Sequence, residues 1–387
     1  MAKQIGIVTL YRGYNYGTSL QAYALKQFIT SLGYNAHIIW TSQGVTCGRD
    51  IRLNKIARMV WRCLWHPTLI KHTFLSYKNS LSKIINPQIK VKFLSFAKKF
   101  LAVKGLSKEQ LINFAASADT IALVCGSDQI WSATAANVEP LYFLRFAPEK
   151  KRIAYAPSFG ASSVPDYNRE ILVRYISEIP FISVREESGA QIVRQLTERQ
   201  VPVLLDPTLL LDWEEFTIKT DPKEDYILAY FLDEPSQIAL DSLHYISQQH
   251  NCQVWAFPYK HPAYRTLSNV KQVTAGPEEF VKLIKYAKCV LTDSFHGTIF
   301  SINLQTPFWT FARNYVAGKG QSDRLTSILG RLNLQEHYIT QPDEKIHQIP
   351  TDIVALQTAK KWIVVQRELS KKFLQNALSQ IEGSHGR

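Results

Sequence analysis

The sequence predicts an α/β protein of two doubly wound domains that face each other across a cleft. Three observations carry that prediction. At 387 residues the chain is too long for one ordinary core and suited to two. Apolar runs of strand length alternate with helical stretches, the pattern of a parallel sheet covered by helices. The alternation starts afresh once, after the acidic, proline-containing stretch Asp221-Pro222-Lys223-Glu224-Asp225.

The first unit opens with a strand over Ile5 to Leu10, a loop through Gly13-Tyr14-Asn15-Tyr16-Gly17-Thr18, and a helix from about Ser19 to Leu32 that ends at Gly33. Strands follow at Ala36 to Trp40, Ile121 to Cys125, Arg152 to Ala156, Phe181 to Val184 and Val203 to Leu205. The second unit runs strand Tyr226 to Phe231, helix Gln237 to Gln249, strand Gln253 to Phe257 and helix Pro277 to Ala287. It continues with strand Cys289 to Thr292, a helix from about Ser294 to Leu304, and strand Phe308 to Phe311. The expected domains are residues 1–215, with a basic helical insertion at about 49–104, then 216–340, and a C-terminal amphipathic helix at 350–383.

Composition narrows the class. Hydrophobic residues at 46% against 20% charged describe a globular chain. The stretch before Arg12 lacks the basic, apolar and small-residue layout of a secretory signal, and the most apolar window, Val201 to Leu211, is half a membrane span and contains Asp206. A cytoplasmic protein is expected. Five cysteines without close pairing and ten histidines without a ligand pair predict neither a disulfide framework nor a metal site. The net charge of +13 sits almost wholly in residues 49–104, where thirteen Lys or Arg face the single acid Asp50.

Ligands of open parallel sheets bind beyond the carboxyl ends of the strands, where loops feed helix N-termini. The sharpest such turn is Thr292-Asp293-Ser294-Phe295-His296-Gly297-Thr298, where apolar residues end abruptly in polar ones. It puts His296 in the first turn of a helix, in a positive field that favours anions. On spacing alone, Asp293 and Ser294 serve equally as plain caps and His296 as interior packing. Asn15, Tyr16 and Gly17 form a second helix-entry loop, suited to a phosphate or a sugar or simply to a turn. Asp128, Gln129 and Trp131 form a third, with a carboxylate and an aromatic for holding a sugar; Asp128 as a cap and Trp131 as core fit the pattern as well. Arg185 and Arg324 follow a predicted strand and open a predicted helix, where an arginine fork binds carboxylate or phosphate; pairing of Arg185 with Glu186 or Glu187 is the simpler alternative.

Seven segments in order carry a resemblance: Asn15 to Leu25, Gly126 to Trp131, Tyr155 to Gly160, Val184 to Glu186, Leu205 to Thr208, Thr292 to Thr298 and Ser322 to Arg324. Together they resemble the polysaccharide pyruvyl transferase family. The resemblance implies two Rossmann-like domains in a GT-B-like arrangement and a transferase that moves pyruvate from phosphoenolpyruvate to two sugar hydroxyls, forming a ketal and releasing phosphate. It implies a role in exopolysaccharide or capsule biosynthesis at the cell envelope, with no cofactor beyond the phosphoenolpyruvate donor. The family's functional histidine falls on His296, expected to act as general acid, with Asp293, Asp128 or His296 itself as base. Donor contacts are expected from Arg185, Ser294, Gly297, Thr298, Arg313 and Arg324. Some members carry a donor-binding arginine where this chain has Ser294. The expected acceptor is a glycan or an undecaprenyl-diphosphate-linked oligosaccharide. The basic segment, with Trp61, Trp65, Phe74, Tyr77, Phe93, Phe96 and Phe100 interleaved, suits an anionic membrane surface or an ordinary solvated insertion; no nucleic-acid reader motif accompanies it. Two rival readings are a GT-B type glycosyltransferase using a nucleotide sugar and a non-catalytic carbohydrate-binding protein of the same pathway.

Overall fold

The structure, a computed structural model, describes residues 3–42, 57, 60, 61, 64, 86–135, 138–217, 224–313 and 320–383. Its first half begins with β1 (Gln4–Val8), α1 (Tyr16–Ser31), β2 (Asn35–Trp40), α2 (Pro87–Phe96), β3 (Lys104–Gly105), α3 (Lys108–Ala116) and β4 (Thr120–Cys125). It continues through β5 (Arg152–Ala154), α4 (Asp166–Ser177), β6 (Phe181–Ile182), α5 (Glu187–Thr197) and the short α6 (Glu214–Thr217). The second half holds β7 (Tyr226–Tyr230), α7 (Gln237–Gln249), β8 (Gln253–Phe257), β9 (Val270–Gln272), α8 (Pro277–Lys285) and β10 (Cys289–Thr292). It ends with α9 (Phe295–Leu304), β11 (Phe308–Phe311), α10 (Gly320–Arg331), β12 (Tyr338–Ile339) and α11 (Ile353–Gly383).

The strands form two six-stranded sheets, ordered β3-β2-β1-β4-β5-β6 and β12-β11-β10-β7-β8-β9, with every strand pair parallel. Read from its own first strand, each is the Rossmann order 3-2-1-4-5-6. The fold is therefore two Rossmann-like α/β domains, as the alternating pattern predicts. The strand expected at Val203 to Leu205 is reduced to one parallel bridge, Val184 to Val203.

Central strands such as β4 (TIALVC) and β7 (YILAY) are buried along their whole length because helices cover both faces. The order reverses between β1 and β4 in one sheet and between β7 and β10 in the other, and these switch points are where such sheets open a crevice. The inner layers of both halves merge in one core. Tyr16 of α1 stacks on Phe280 of α8 at 4.9 Å, meets Tyr230 of β7 edge-on at 5.8 Å, and donates its hydroxyl to the Ala275 carbonyl at 2.8 Å. All ten residues of α9 are buried, so the helix behind His296 has no solvent face.

Helix α11 lies along both halves: Lys360 donates to Asn303 of α9, and Glu382 pairs with Lys3 beside β1 at 3.0 Å. Of the basic segment, residues 49–56, 58, 59, 62, 63 and 65–85 lie outside the described residues, and with them Trp65, Phe74 and Tyr77. Its later part corrects the expectation of a surface row of aromatics. Phe93 and Phe96 are buried and Phe100 packs on the same core, around Tyr16 and Tyr23, because α2 lays its aromatic face on α1. Val91 and Leu94 stay outside, as does Trp61.

Candidate active site

The two crevices open onto the same place. From the first half come α1 after β1, Asp128 after β4, and Arg185 and Glu186 after β6, with Asp206 shortly beyond. From the second half come Phe295 and His296 at the start of α9 and Arg324 in α10. Each of these six charged or titratable side chains, Asp128, Arg185, Glu186, Asp206, His296 and Arg324, belongs to a residue no more than 9% exposed.

Local chemistry explains the two helix starts. Asn15 caps α1 by accepting from the Thr18 amide at 3.1 Å, and Ser294 caps α9 by accepting from the Gly297 amide at 3.4 Å. His296 therefore leaves the first turn of α9, and its imidazole lies against Gly17 in the first turn of α1. A Cβ on Gly17 would sit 2.0 Å from the ring Cγ and Nδ1, so only glycine permits this approach.

Arg185 is the ionic centre. Its Nη1 meets Asp206 Oδ2 at 2.5 Å, and Asp128 and Glu186 lie at 3.8 Å. Each carboxylate is fixed from behind. Asp206 Oδ1 accepts from the Thr208 amide and hydroxyl at 2.9 and 2.6 Å, Asp128 Oδ2 from the Thr18 hydroxyl at 2.8 Å, and Glu186 Oε1 from the Phe159 amide at 2.9 Å. The Arg185 guanidinium carbon stands 4.7 Å from the centre of the Phe295 ring and that of Arg324 5.5 Å, both within cation–π range. His296 Nε2 is 3.8 Å from Asp206 Oδ2. Five buried donor or acceptor atoms of these side chains lack a hydrogen-bond partner: Arg185 Nε and Nη2, Glu186 Oε2, Arg324 Nε and His296 Nε2. Such orphans are rare in an interior and mark a place where a polar ligand completes the set.

Electrostatics follow the geometry. Burial pushes the His296 imidazole below its ordinary value, more strongly than Asp206 and Asp128 hold it up, so the ring is neutral near pH 7. Burial raises the carboxyls of Asp206 and Asp128, but Arg185 and then His296 outweigh it and the net direction is down. Burial and the neighbouring Arg185 bring Arg324 down to about 10, still charged at neutrality.

Several sequence expectations are corrected. Trp131 is core: it is 1% exposed, stacks on Phe143 at 5.1 Å and donates to the Tyr142 carbonyl, because residues 140–143 fold over it. Tyr16 joins the two halves, with no face left for an acceptor. The Ser294 hydroxyl is used in capping, and that of Thr298 bonds the Ser294 carbonyl and Thr310. A Cβ on Gly297 would meet Thr292 Oγ1 at 2.5 Å, so this glycine serves helix-to-strand packing. The Asp293 carboxylate accepts from the Leu232 and Asp233 amides at 2.8 and 3.0 Å and from Arg313 at 3.1 Å, which ties the loop after β7 to the turn after β10. Arg313 thus grips Asp293 and lies 3.7 Å from Asp233. Gln129 packs on Gly160 while its amide N–H donates to its neighbour Asp128. Asp206 was missed as a site residue. Its motif was visible, but an Asp before Pro-Thr reads as a turn cap, which it also is.

Among the described residues no cluster of His, Cys, Asp or Glu is arranged to hold a metal ion, and no helix is long and apolar enough to cross a membrane.

Two Rossmann-like domains with a buried, charged centre at both switch points define the class of two-domain α/β enzymes that work in an interdomain crevice. The polysaccharide pyruvyl transferase model matches residues 15–315, and the chain belongs to that family. No curated protein matches it. Among solved structures it is similar to the glycosyltransferase SnogD from Streptomyces nogalater, at 12% identity and TM-score 0.46, covering 97% of this chain and 100% of that one. It is also similar to a UDP-GlcNAc 2-epimerase from Neisseria meningitidis (11%, 0.43, 95% and 99%) and one from Methanocaldococcus jannaschii (13%, 0.48, 92% and 92%).

Proposed function

We propose that the protein transfers the pyruvyl group of phosphoenolpyruvate to two hydroxyls of a sugar in a cell-surface glycan or its lipid-linked precursor, releasing phosphate. The observation that carries this reading is the buried pair Arg185 and Arg324 with unpartnered N–H groups, beside the buried imidazole of His296, in a chain of this family. Phosphoenolpyruvate offers what such a trio answers: a carboxylate, a phosphate, and an alkene carbon that must be protonated.

In this mechanism His296, as imidazolium, gives its proton to the methylene carbon. C2 becomes an oxocarbenium-like centre, a sugar hydroxyl adds to it and loses its proton, and the C2–O bond to phosphate breaks with the electron pair leaving on phosphate. A second hydroxyl closes the ketal and loses its proton in turn. One of the two hydroxyl protons balances the new methyl group and the other leaves with phosphate. Asp128, a buried carboxylate of the first half steadied by the Thr18 hydroxyl, serves as base, since Asp293 is held by two amides and Arg313. The position of Ser294 contributes a helix cap where some members carry an arginine, and Arg185 and Arg324 take over the donor's anionic groups, aided by first-turn amides of α9.

Charge balance makes a further demand. Two guanidiniums face the three carboxylates of Asp128, Glu186 and Asp206, so these side chains carry no surplus of positive charge among themselves. An anionic donor is accommodated when His296 takes up a proton, and the donor thereby loads its own acid. The acceptor reaches the site from the side of the basic segment, where Lys90, Lys98 and Lys99 stand with the exposed Val91 and Leu94, a composition suited to an anionic lipid surface.

The test is purified protein with an acceptor extract and either phosphoenolpyruvate or UDP-sugars. Phosphate release with the first and no nucleotide release with the second is expected; nucleotide release alone would replace this reading with a glycosyltransferase. Calorimetry of phosphoenolpyruvate binding in buffers of different ionisation enthalpy should show proton uptake near neutral pH.

A further inference from the structure

We infer that Asp206 is a positioning residue for His296, holding the imidazole with Nε2–H toward its carboxylate and leaving Nδ1 as the nitrogen that exchanges protons with the substrate. The inference rests on the pyruvyl-transfer reading for its consequence, and on geometry alone for its substance. Asp206 Oδ2 is 3.8 Å from His296 Nε2, an ion-pair distance that one small closure of the crevice would turn into a hydrogen bond. The carboxylate cannot swing away, because the Thr208 amide and hydroxyl hold Oδ1 and Arg185 holds Oδ2. The ring cannot swing away either, because its face lies on Gly17. Nε2 is fully enclosed, and among the described residues Asp206 is the carboxylate within ion-pair distance of it. A neutral imidazole carries one proton, so a carboxylate facing Nε2 selects the tautomer protonated there and leaves Nδ1 with the lone pair.

The other groups that bear on the ring are Asp128 after β4, Arg185 after β6 and Arg324 in α10; α1 offers only uncharged Gly17 and Thr18. Asp128 supports the imidazolium, the two arginines oppose it, and Asp206 is the carboxylate within ion-pair distance.

Nitrogen-15 NMR of the imidazole in substrate-free protein, assigned with His296→Gln, reads the tautomer directly. The expected pattern is Nε2–H; a dominant Nδ1–H form would overturn the inference, whether or not the protein turns over phosphoenolpyruvate. Steady-state kinetics give the second arm. In Asp206→Asn the pH limb of kcat assigned to the acid should move down by about 1 unit or more, as expected on losing an opposite charge at this range. Arg185→Lys should raise KM for phosphoenolpyruvate and leave that limb in place. A loss of kcat equal at every pH in Asp206→Asn would mean a merely structural role and sink the inference. Absence of phosphate release by the wild-type protein would sink the functional reading and leave the tautomer result standing.

Discussion

Asn15 and Ser294 each cap a helix that leaves a switch point, and the two helix starts meet where Gly17 touches His296. One turn presents the smallest side chain there is and the other an imidazole. Around the first stand charges locked among themselves: Arg185 with Asp206, Asp128 and Glu186, each carboxylate also fixed by a hydroxyl or an amide. Around the second stand His296 and Arg324, which bring an imidazole and a guanidinium without a carboxylate of their own half; unpartnered atoms remain on both sides, at Arg185 Nε and Nη2 and Glu186 Oε2 in the first half and at His296 Nε2 and Arg324 Nε in the second. The first half is the rigid anvil, the second brings the proton carrier, and the site exists only where both are held together. Asp206 and Asp293 repeat the contrast. Both are buried and both meet an arginine, yet Asp206 is held down by Arg185 and His296 while burial leaves Asp293 raised despite Arg313.

The largest expected break is Arg185→Leu. Removing the cation that lies within 4 Å of three buried carboxylates should destabilise the fold by about 3–5 kcal/mol, read as a lower urea midpoint. Gly17→Ala comes next. A methyl group against the ring displaces His296, and a misplacement of about 1 Å costs on the order of 10²-fold in turnover, with a lower thermal midpoint as well because the contact is overpacked. A third test separates the carboxylates by pH. The Asp206 carboxyl titrates lower in the folded chain than in the unfolded one, so its contribution is present above about pH 3.9 and is lost as pH falls below that. Asp206→Asn should therefore be less stable than wild type near neutrality, and the gap should narrow steadily on acidification; a constant gap would contradict the direction assigned. The smallest effect is the caps: Asn15→Ala and Ser294→Ala should each cost about 1 kcal/mol. If only Ser294→Ala also lowers turnover, the imidazole turn is the more sensitive of the two.

Much of this frame is legible in the sequence. Strand and helix periodicity marks β1, β8, β10 and α7 to within a few residues, since parallel strands buried on both faces are continuous apolar runs. The turn carrying His296 is legible because apolar residues give way at once to a cap. The ionic centre is not, since Arg185 is 21 residues from Asp206 and far from Asp128 along the chain, and each looks locally like a cap or a surface ion. Trp131 misleads for the same reason: the residues that cover it, Tyr142 and Phe143, arrive from a later segment. Asp293 reads as a base because it stands beside His296 in the chain, while its carboxylate is bonded to the loop after β7.

The central claim is that His296 supplies the proton to the donor. Its most direct measurement is phosphate released from phosphoenolpyruvate, with acceptor present, by wild type and by His296→Ala at equal folded concentration. General acid catalysis of this kind contributes about 10²–10⁴-fold, and a loss of that size is the result predicted. Phosphate release by the variant at near the wild-type rate would contradict the account.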